Sequence, residues 1–479
     1  MNICKLVKEQ NDIMGKKNKA FCNASLLALA LVFAIAACSS SGNSEGGVPA
    51  ADTNHVQPDI EYIVNPDKSL FDGETLTIAN FFEEPWLTLA SRYMRENPGV
   101  TIEITSYFDE RERDGNFNKV REKIATQLMT GGGPVLINDF LVDYLHPRST
   151  HFFTDWLPVM NADPDFNEDD WFMSVFNAMC VNSKLLSFPT AMVYEMVVAN
   201  KAIPGLAEAL EATDSITVPE LFELHRSISS DKQYFFEPRN ATIAFFSDYY
   251  IGEFLDIETG WADFNNERFI EFLKNARGID NPNEMIVLAT NISPAEEALV
   301  SEKYAFIFTD NFHWQYAYDF EESLFTGLTP VVNGKGEMSF YPRESFILNA
   351  NATPVQHALA WDFVKYVTQS YEYAYFSSTN RVQHRRACDN AIAASMEQYF
   401  MNQHGWQVDR PIEEAVDEVR AKMAAFTDLP KFNSRGLPDV ILEVINEAMR
   451  NYNSGMVSAE QTAADLQNKI ELVFMEIRQ

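Results

Sequence analysis

The chain has 479 residues, which suggests two or three domains or one large two-lobed unit. Its hydrophobic share of 46% and charged share of 22% exclude a disordered or collagen-like chain. With 37 Lys+Arg against 69 Asp+Glu, a formal net charge of -32 argues against nucleic acid as a partner, because phosphates would be repelled.

In chain order, Lys16, Lys17 and Lys19 form a positive segment ahead of the uncharged run Leu26 to Ala37. That run is too short for a bilayer span of about 20 residues and fits the apolar stretch of a secretion signal. It ends Ile35-Ala36-Ala37-Cys38, which resembles a bacterial lipobox, so residues 1–37 are expected to be removed and Cys38 to be diacylated. Met14 before Gly15-Lys16-Lys17 makes a more typical signal start than Met1. Two acyl chains hold a protein on a membrane where one does not. The mature chain would keep 32 basic and 67 acidic residues, a net charge of -35. Residues 38–60, rich in Ser and Gly, read as a flexible tether.

Thr75 to Ala79 reads as a strand. Trp86, Leu89, Ala90, Tyr93 and Met94 share one helix face, closed by Asn97-Pro98-Gly99. Val100, Ile102 and Ile104 alternate with polar residues as a second strand. Val120, Ile124, Ala125 and Leu128 return to helical spacing and stop at Gly131-Gly132-Gly133, before a buried strand at Val135-Leu136-Ile137. Strand, helix, strand, helix, strand predicts a parallel α/β sheet. Further on, Thr353-Pro354 caps a helix faced by Val355, Ala358, Leu359, Phe363, Tyr366 and Val367. Val440, Ile441, Val444, Ile445, Ala448 and Met449 face another, and Ser458 with Gln461 forms a capping box for the last helix.

Several motifs lack the context their chemistry needs. Gly42-Asn43-Ser44-Glu45-Gly46 spells a nucleophile elbow but lies in the tether. Asp163, Asp165, Asn167 and Asp169 space like a calcium loop, yet its sixth and twelfth positions are Glu168 and Ser174, so a solvated acidic loop is expected. Gly131-Gly132-Gly133-Pro134 lacks the Lys of a phosphate loop. No metal site and no cofactor is expected. Cys180 and Cys388 are expected to be free, buried thiols.

The segments Arg95-Glu96-Asn97-Pro98-Gly99-Val100, Ala125 to Pro134, Leu186-Ser187-Phe188-Pro189 with Ala199-Asn200-Lys201, Glu297-Ala298-Leu299 through Ala305-Phe306-Ile307, Ala358 to Val364 and Gly455 to Leu466 come in an order that resembles a known family. With the lipobox, the chain is similar to the family 1 extracellular solute-binding proteins of ABC importers, the maltodextrin-binding-protein-like lipoproteins. Val135 and Ala199 depart from the family's Asp and Tyr at those points. The resemblance implies an α/β, two-lobed Venus-flytrap fold with three hinge crossings, near Tyr194, Glu344 and Arg381. The first lobe would be 73–193 plus 345–380 and the second 194–344 plus 381–479. It implies a monomer that binds a small-molecule solute, a mono- or oligosaccharide, in the interlobe cleft without chemical change. The chain would hand that solute to ABC permease transmembrane subunits at the membrane's outer face.

Sugar binding calls for aromatic faces and fixed polar forks on loops at the carboxyl ends of strands. The loops carrying such groups hold Phe82, Glu83 and Glu84; Asn138 and Asp139; Glu237 and Arg239; Asp310, Asn311, Phe312 and Trp314; and Tyr341, Arg343 and Glu344. Trp86 is expected in the core. Two other readings remain open at this point: a binding protein for a peptide or polyamine, and a surface glycoside hydrolase pairing Glu83 or Glu84 with Glu237 or Glu344. A lipoprotein adhesin or sensor partner is a third class.

Overall fold

A computed structural model describes residues 62–63, 67–81, 85–107, 117–146, 149–194, 196–228, 250–257, 259–277, 305–309, 325–370, 373, 390, 393–394, 396, 411–433 and 436–477. The chain opens with β1 (Thr75–Asn80), α1 (Trp86–Glu96), β2 (Thr101–Ser106), α2 (Phe117–Met129) and β3 (Leu136–Asn138). β1 pairs in parallel with β2 on one side and with β3 on the other, as the alternating pattern predicts. Two glycines make this βαβαβ unit compact. A Cβ on Gly99 would stand 1.9 Å from Asp72 Oδ1, so a larger residue there would displace the Asp72 side chain beside the bond that Gly73 N–H donates to Gly99 C=O at 2.8 Å. Gly131, at φ +79°, ends α2 in a left-handed step; its N–H bonds Leu128 C=O and that of Gly132 bonds Gln127 C=O, which satisfies the last carbonyls.

The chain continues through β4 (Phe153–Thr154), α3 (Trp156–Asn161), α4 (Met173–Met179), β5 (Ser187–Tyr194), β6 (Met196–Asn200), α5 (Leu206–Glu211), β7 (Ile216–Thr217), α6 (Val218–Ile228), the hairpin β8 (Leu255–Asp256) and β9 (Trp261–Ala262), and α7 (Glu267–Arg277). It closes with β10 (Phe306–Thr309), β11 (Phe325–Val332), β12 (Met338–Asn349), α8 (Pro354–Thr368), α9 (Ile412–Thr427), β13 (Lys431–Asn433), α10 (Asp439–Asn453) and α11 (Ala459–Ile477). Both predicted caps form. Thr353 and Gln356 make a full capping box ahead of Pro354, and Ser458 and Gln461 exchange bonds of 3.2 and 2.9 Å.

The main sheet runs β10-β6-β11-β12-β3-β1-β2. β12 is its spine. Its first residues pair with β11 and β13, and its last with β3, β4 and β5. The long antiparallel pairing of β5 with β12 breaks register on either side of Glu344. β5 and β6 are separated by one residue but take different partners, β12 for β5 and β10 with β11 for β6.

Burial falls into separate clusters. One gathers β1, α1, α3, α4, β5 and α8 around Trp86, Trp156, Phe188 and Trp361. A second gathers α5, α6, α7, α10 and α11 around Phe269, Leu273, Ile441, Ile445 and Leu466. A third, with Val120, Ile124 and Leu128 of α2, covers Ala79 and Ile137 on the other sheet face. Ala125, expected on the buried face of α2, is exposed, because the packed stripe runs strictly i, i+4, i+8. Val416, Val419 and Phe426 of α9 join the first cluster rather than the second.

Two loop expectations change. Asp163 is not solvated: Lys365 and the Trp361 Nε1–H (2.8 Å) both donate to it. Burial pushes its carboxyl up, but these donors outweigh that and leave it below the ordinary range. Cys180 is a free thiol, half-buried rather than buried, donating to Phe176 C=O at 3.4 Å. Cys388 lies outside the described residues. Among the described residues no helix is long and apolar enough to cross a membrane.

Phe188 sits at the centre of the first core, 5.2 Å from the ring centroids of Trp156 and Phe176 and 5.7 Å from that of Trp361. Phe188→Ala should cost about 3–5 kcal/mol. Urea denaturation should show a lower midpoint at unchanged slope, and an unmoved midpoint would mean the ring is not central to this core.

Candidate functional site

Because β1 and β3 run parallel, both present their carboxyl ends at the same edge of the sheet. Each strand ends in a buried asparagine. Asn80 Oδ1 accepts from the Phe81 N–H at 2.7 Å and from Asn138 Nδ2 at 3.2 Å. Asn138 Oδ1 in turn accepts the Phe140 N–H at 3.2 Å, capping the single turn Asp139–Leu141. This capped turn fixes the chain as it leaves the sheet. It leaves Phe140 36% exposed, with its ring centroid 5.9 Å from that of Phe81 in a tilted pair. The Ser345 hydroxyl, from β12, donates to Asp139. The edge therefore carries an aromatic pair beside an amide pair and a half-buried carboxylate.

Beneath this edge lies Glu344, fully enclosed. Trp86 Nε1–H donates to Oε1 at 2.9 Å, and the Tyr373 hydroxyl donates to Oε2. The Thr190 hydroxyl, 2.8 Å from that of Tyr373, donates to the Glu344 backbone carbonyl at 3.1 Å. Burial pushes the carboxyl up, and the donors of Tyr373, Trp86, Asn80 and Thr190 pull the other way. The net direction is upward, because desolvation of a full charge outweighs neutral donors.

Of the residues singled out by sequence, Asn138 and Asp139 stand together at the edge. Tyr341 is half-buried and Arg343 exposed along β12. Glu344 is the correction: the register break turns it inward, and its carboxyl is engaged by protein donors rather than offered to a ligand. Trp86 is in the core as expected, at 0% exposure. Phe82, Glu83, Glu84, Glu237, Arg239, Asp310, Asn311, Phe312, Trp314 and Cys38 lie outside the described residues. The sequence reading passed over Asn80, Phe81 and Phe140. The available signal was an aromatic one or two residues after the asparagine that ends β1 and β3. Among the described residues, no three His, Cys, Asp or Glu side chains gather as a metal site.

No family model matches this sequence, and no curated protein sequence matches it either. Its fold, however, is shared with solved structures. A periplasmic oligogalacturonide binding protein from Yersinia enterocolitica superimposes with a TM-score of 0.55 at 14% identity, covering 85% of this chain and 100% of the other. A family 1 extracellular solute-binding protein from Alicyclobacillus acidocaldarius gives 0.52 at 13% identity, covering 84% and 98%. The maltose/maltodextrin-binding domain MalE from Bdellovibrio bacteriovorus, bound to maltotriose, gives 0.50 at 14% identity, covering 85% and 100%. The chain thus has the α/β, two-lobed fold of periplasmic binding proteins.

The enclosed carboxyl predicts a pH effect of definite sign. Between the ordinary value of 4.5 and the raised native value, the folded state keeps a proton that the unfolded chain has lost. Stability then falls as pH climbs through that window. Glu344→Gln keeps the shape and removes the titration. Its melting temperature relative to wild type should rise steadily from pH 4.5 toward pH 8, and a gap independent of pH would show that Glu344 does not titrate there.

Proposed function

We propose that this chain is the solute-binding component of an ABC importer and takes a mono- or oligosaccharide between its lobes. The observation that carries the reading is the aromatic pair Phe81–Phe140 set beside Asn80, Asn138 and Asp139 at the carboxyl edge of β1 and β3. A sugar presents C–H faces to rings, and this edge supplies a ring pair on a backbone held by the buried amides behind it. The fold shared with proteins described as binding oligogalacturonide and maltotriose supports the same class.

The strand pairings support the lobe division 73–193 plus 345–380 and 194–344 plus 381–479. One crossing is assigned to the step from β5 to β6 next to Tyr194, and a second to β12 around Glu344, where its pairing with β5 breaks register. The third, near Arg381, lies outside the described residues. We assign Cys38 as the lipid anchor, residues 38–60 as the tether, and the membrane's outer face as the site of action. Delivery to permease subunits follows from that placement. The hydrolase reading loses Glu344 as an acid, because catalysis needs a carboxyl open to the substrate and this one is enclosed.

Thermal-shift titration over mono- and oligosaccharides, with peptides and polyamines as controls, tests the reading, since a ligand of the folded state raises the melting point as RT ln(1 + [L]/Kd). A sugar should raise it. Phe140→Ala should weaken that sugar by about tenfold, the scale of a lost aromatic contact of roughly 1.4 kcal/mol, while the ligand-free melting point stays within about 2 °C. Response to peptides or polyamines alone would replace the sugar assignment.

A further inference from the structure

One ion pair joins elements that otherwise share no core. Arg121 lies on α2, whose Val120, Ile124 and Leu128 pack against β1 and β3. Asp439 is the first residue of α10, whose Ile441, Ile445, Ala448 and Met449 pack in the second core with α5, α6, α7 and α11. The Arg121 guanidinium donates to Asp439 Oδ2 at 2.8 Å, with the two side chains 28% and 50% exposed. A second carboxylate, Asp143, lies within electrostatic reach of both. It belongs to the same side as Arg121, since its neighbours Val142 and Tyr144 are buried in the α2 cluster. Burial and then the charge of Asp439 push the Asp143 carboxyl up, while His146 and Arg121 pull it down.

We propose that Arg121 is an exchangeable latch between the lobes: it pairs with Asp439 across the gap when they approach and falls back on Asp143 when they part. The proposal rests on the two-lobed reading and concerns the ligand-free protein. Three physical points support it. The pair is part-exposed, so each partner can be rehydrated at little cost. An Arg with acceptors on both sides is never stranded in either state, which keeps the exchange shallow. Asp143 and Asp439 repel each other as the lobes meet, and Arg121 between them offsets that repulsion. Exposed pairs of this kind shift an equilibrium roughly two- to five-fold, enough to bias a shallow hinge and too little to lock it.

The two carboxylates must then act with opposite sign. Spin labels carried on non-natural amino acids at Thr126 and Glu443 of the full chain would report the distance between α2 and α10 by pulsed electron resonance, with no ligand present. Asp439→Asn should move the population roughly two- to five-fold toward long distances, and Asp143→Asn should move it toward short ones. The double exchange Arg121→Asp with Asp439→Arg should move the population toward short distances, because both acids then lie on one side and the cation on the other, with no fallback partner. About 0.5 M salt should lengthen the wild-type distance and shorten that of Arg121→Gln, where only the Asp143–Asp439 repulsion is left to screen. Equal distributions for all variants, or shifts of the same sign for Asp439→Asn and Asp143→Asn, would overturn the latch. Because no sugar is involved, these results stand apart from those of the ligand screen.

Discussion

The enclosed carboxyl of Glu344 is the interaction on which the arrangement depends. It sits in the middle of the pairing of β12 with β5, where the register shifts on either side of it. Trp86 donates to it from the head of α1, Thr190 donates to its backbone from β5, and Tyr373 donates from the segment beyond α8. A carboxyl buried without partners would be prohibitively costly, so each of these donors must be in place before the strand can cross here. The constraint also acts in reverse. With Glu344 fixed, Trp86 fixes the head of α1, and Ser345, the next residue, reaches Asp139 at the open edge. The inside of the hinge and the outside of the candidate site are thus consecutive residues of one strand.

That adjacency explains why the edge is rigid. The Asn80–Asn138 bond ties the ends of two parallel strands, and the capped turn after Asn138 leaves Phe140 no freedom in its backbone. Under the proposed binding role, the ordering entropy on binding would then be small for the aromatic pair. Asn80 is 0% exposed, as is Asn138, so their amides serve the scaffold, while Asp139 and the rings meet the surface.

Much of this was legible in the sequence where local periodicity decides structure. The strand–helix–strand–helix–strand opening, the stop at Gly131 and the caps at Thr353 and Ser458 are set by a few neighbouring residues, and all form. Asn138 and Asp139 could be singled out because they follow a strand. Glu344 was placed beside a hinge, but its direction was not readable. A charged residue is ordinarily exposed, and only the register break with β5, 154 positions away from its Thr190 partner, turns it inward. Asp163 misled in the same way, because Lys365 and Trp361 reach it from a distant helix. Phe140 is the opposite case: nothing local in a Phe-rich chain marks it as exposed, and only the turn geometry leaves it at the surface.

The same logic bears on how such a fold can move. A hinge made of strands that share one satisfied polar centre bends without exposing it, so opening need not break the Glu344 network. What changes on opening lies at the rims, where contacts such as Arg121 with Asp439 are part-exposed and individually weak. Driving a two-state hinge from 1:99 to 99:1 needs about 5.5 kcal/mol of differential affinity, more than any rim pair supplies. In the binding role proposed above, the difference would come from a guest that touches both sides at once, with rim charges setting only the point from which it starts. A chain with 69 acidic residues against 37 basic ones has few cations to place. Setting one of them, Arg121, where two carboxylates would otherwise repel across the gap makes that starting point shallow rather than open.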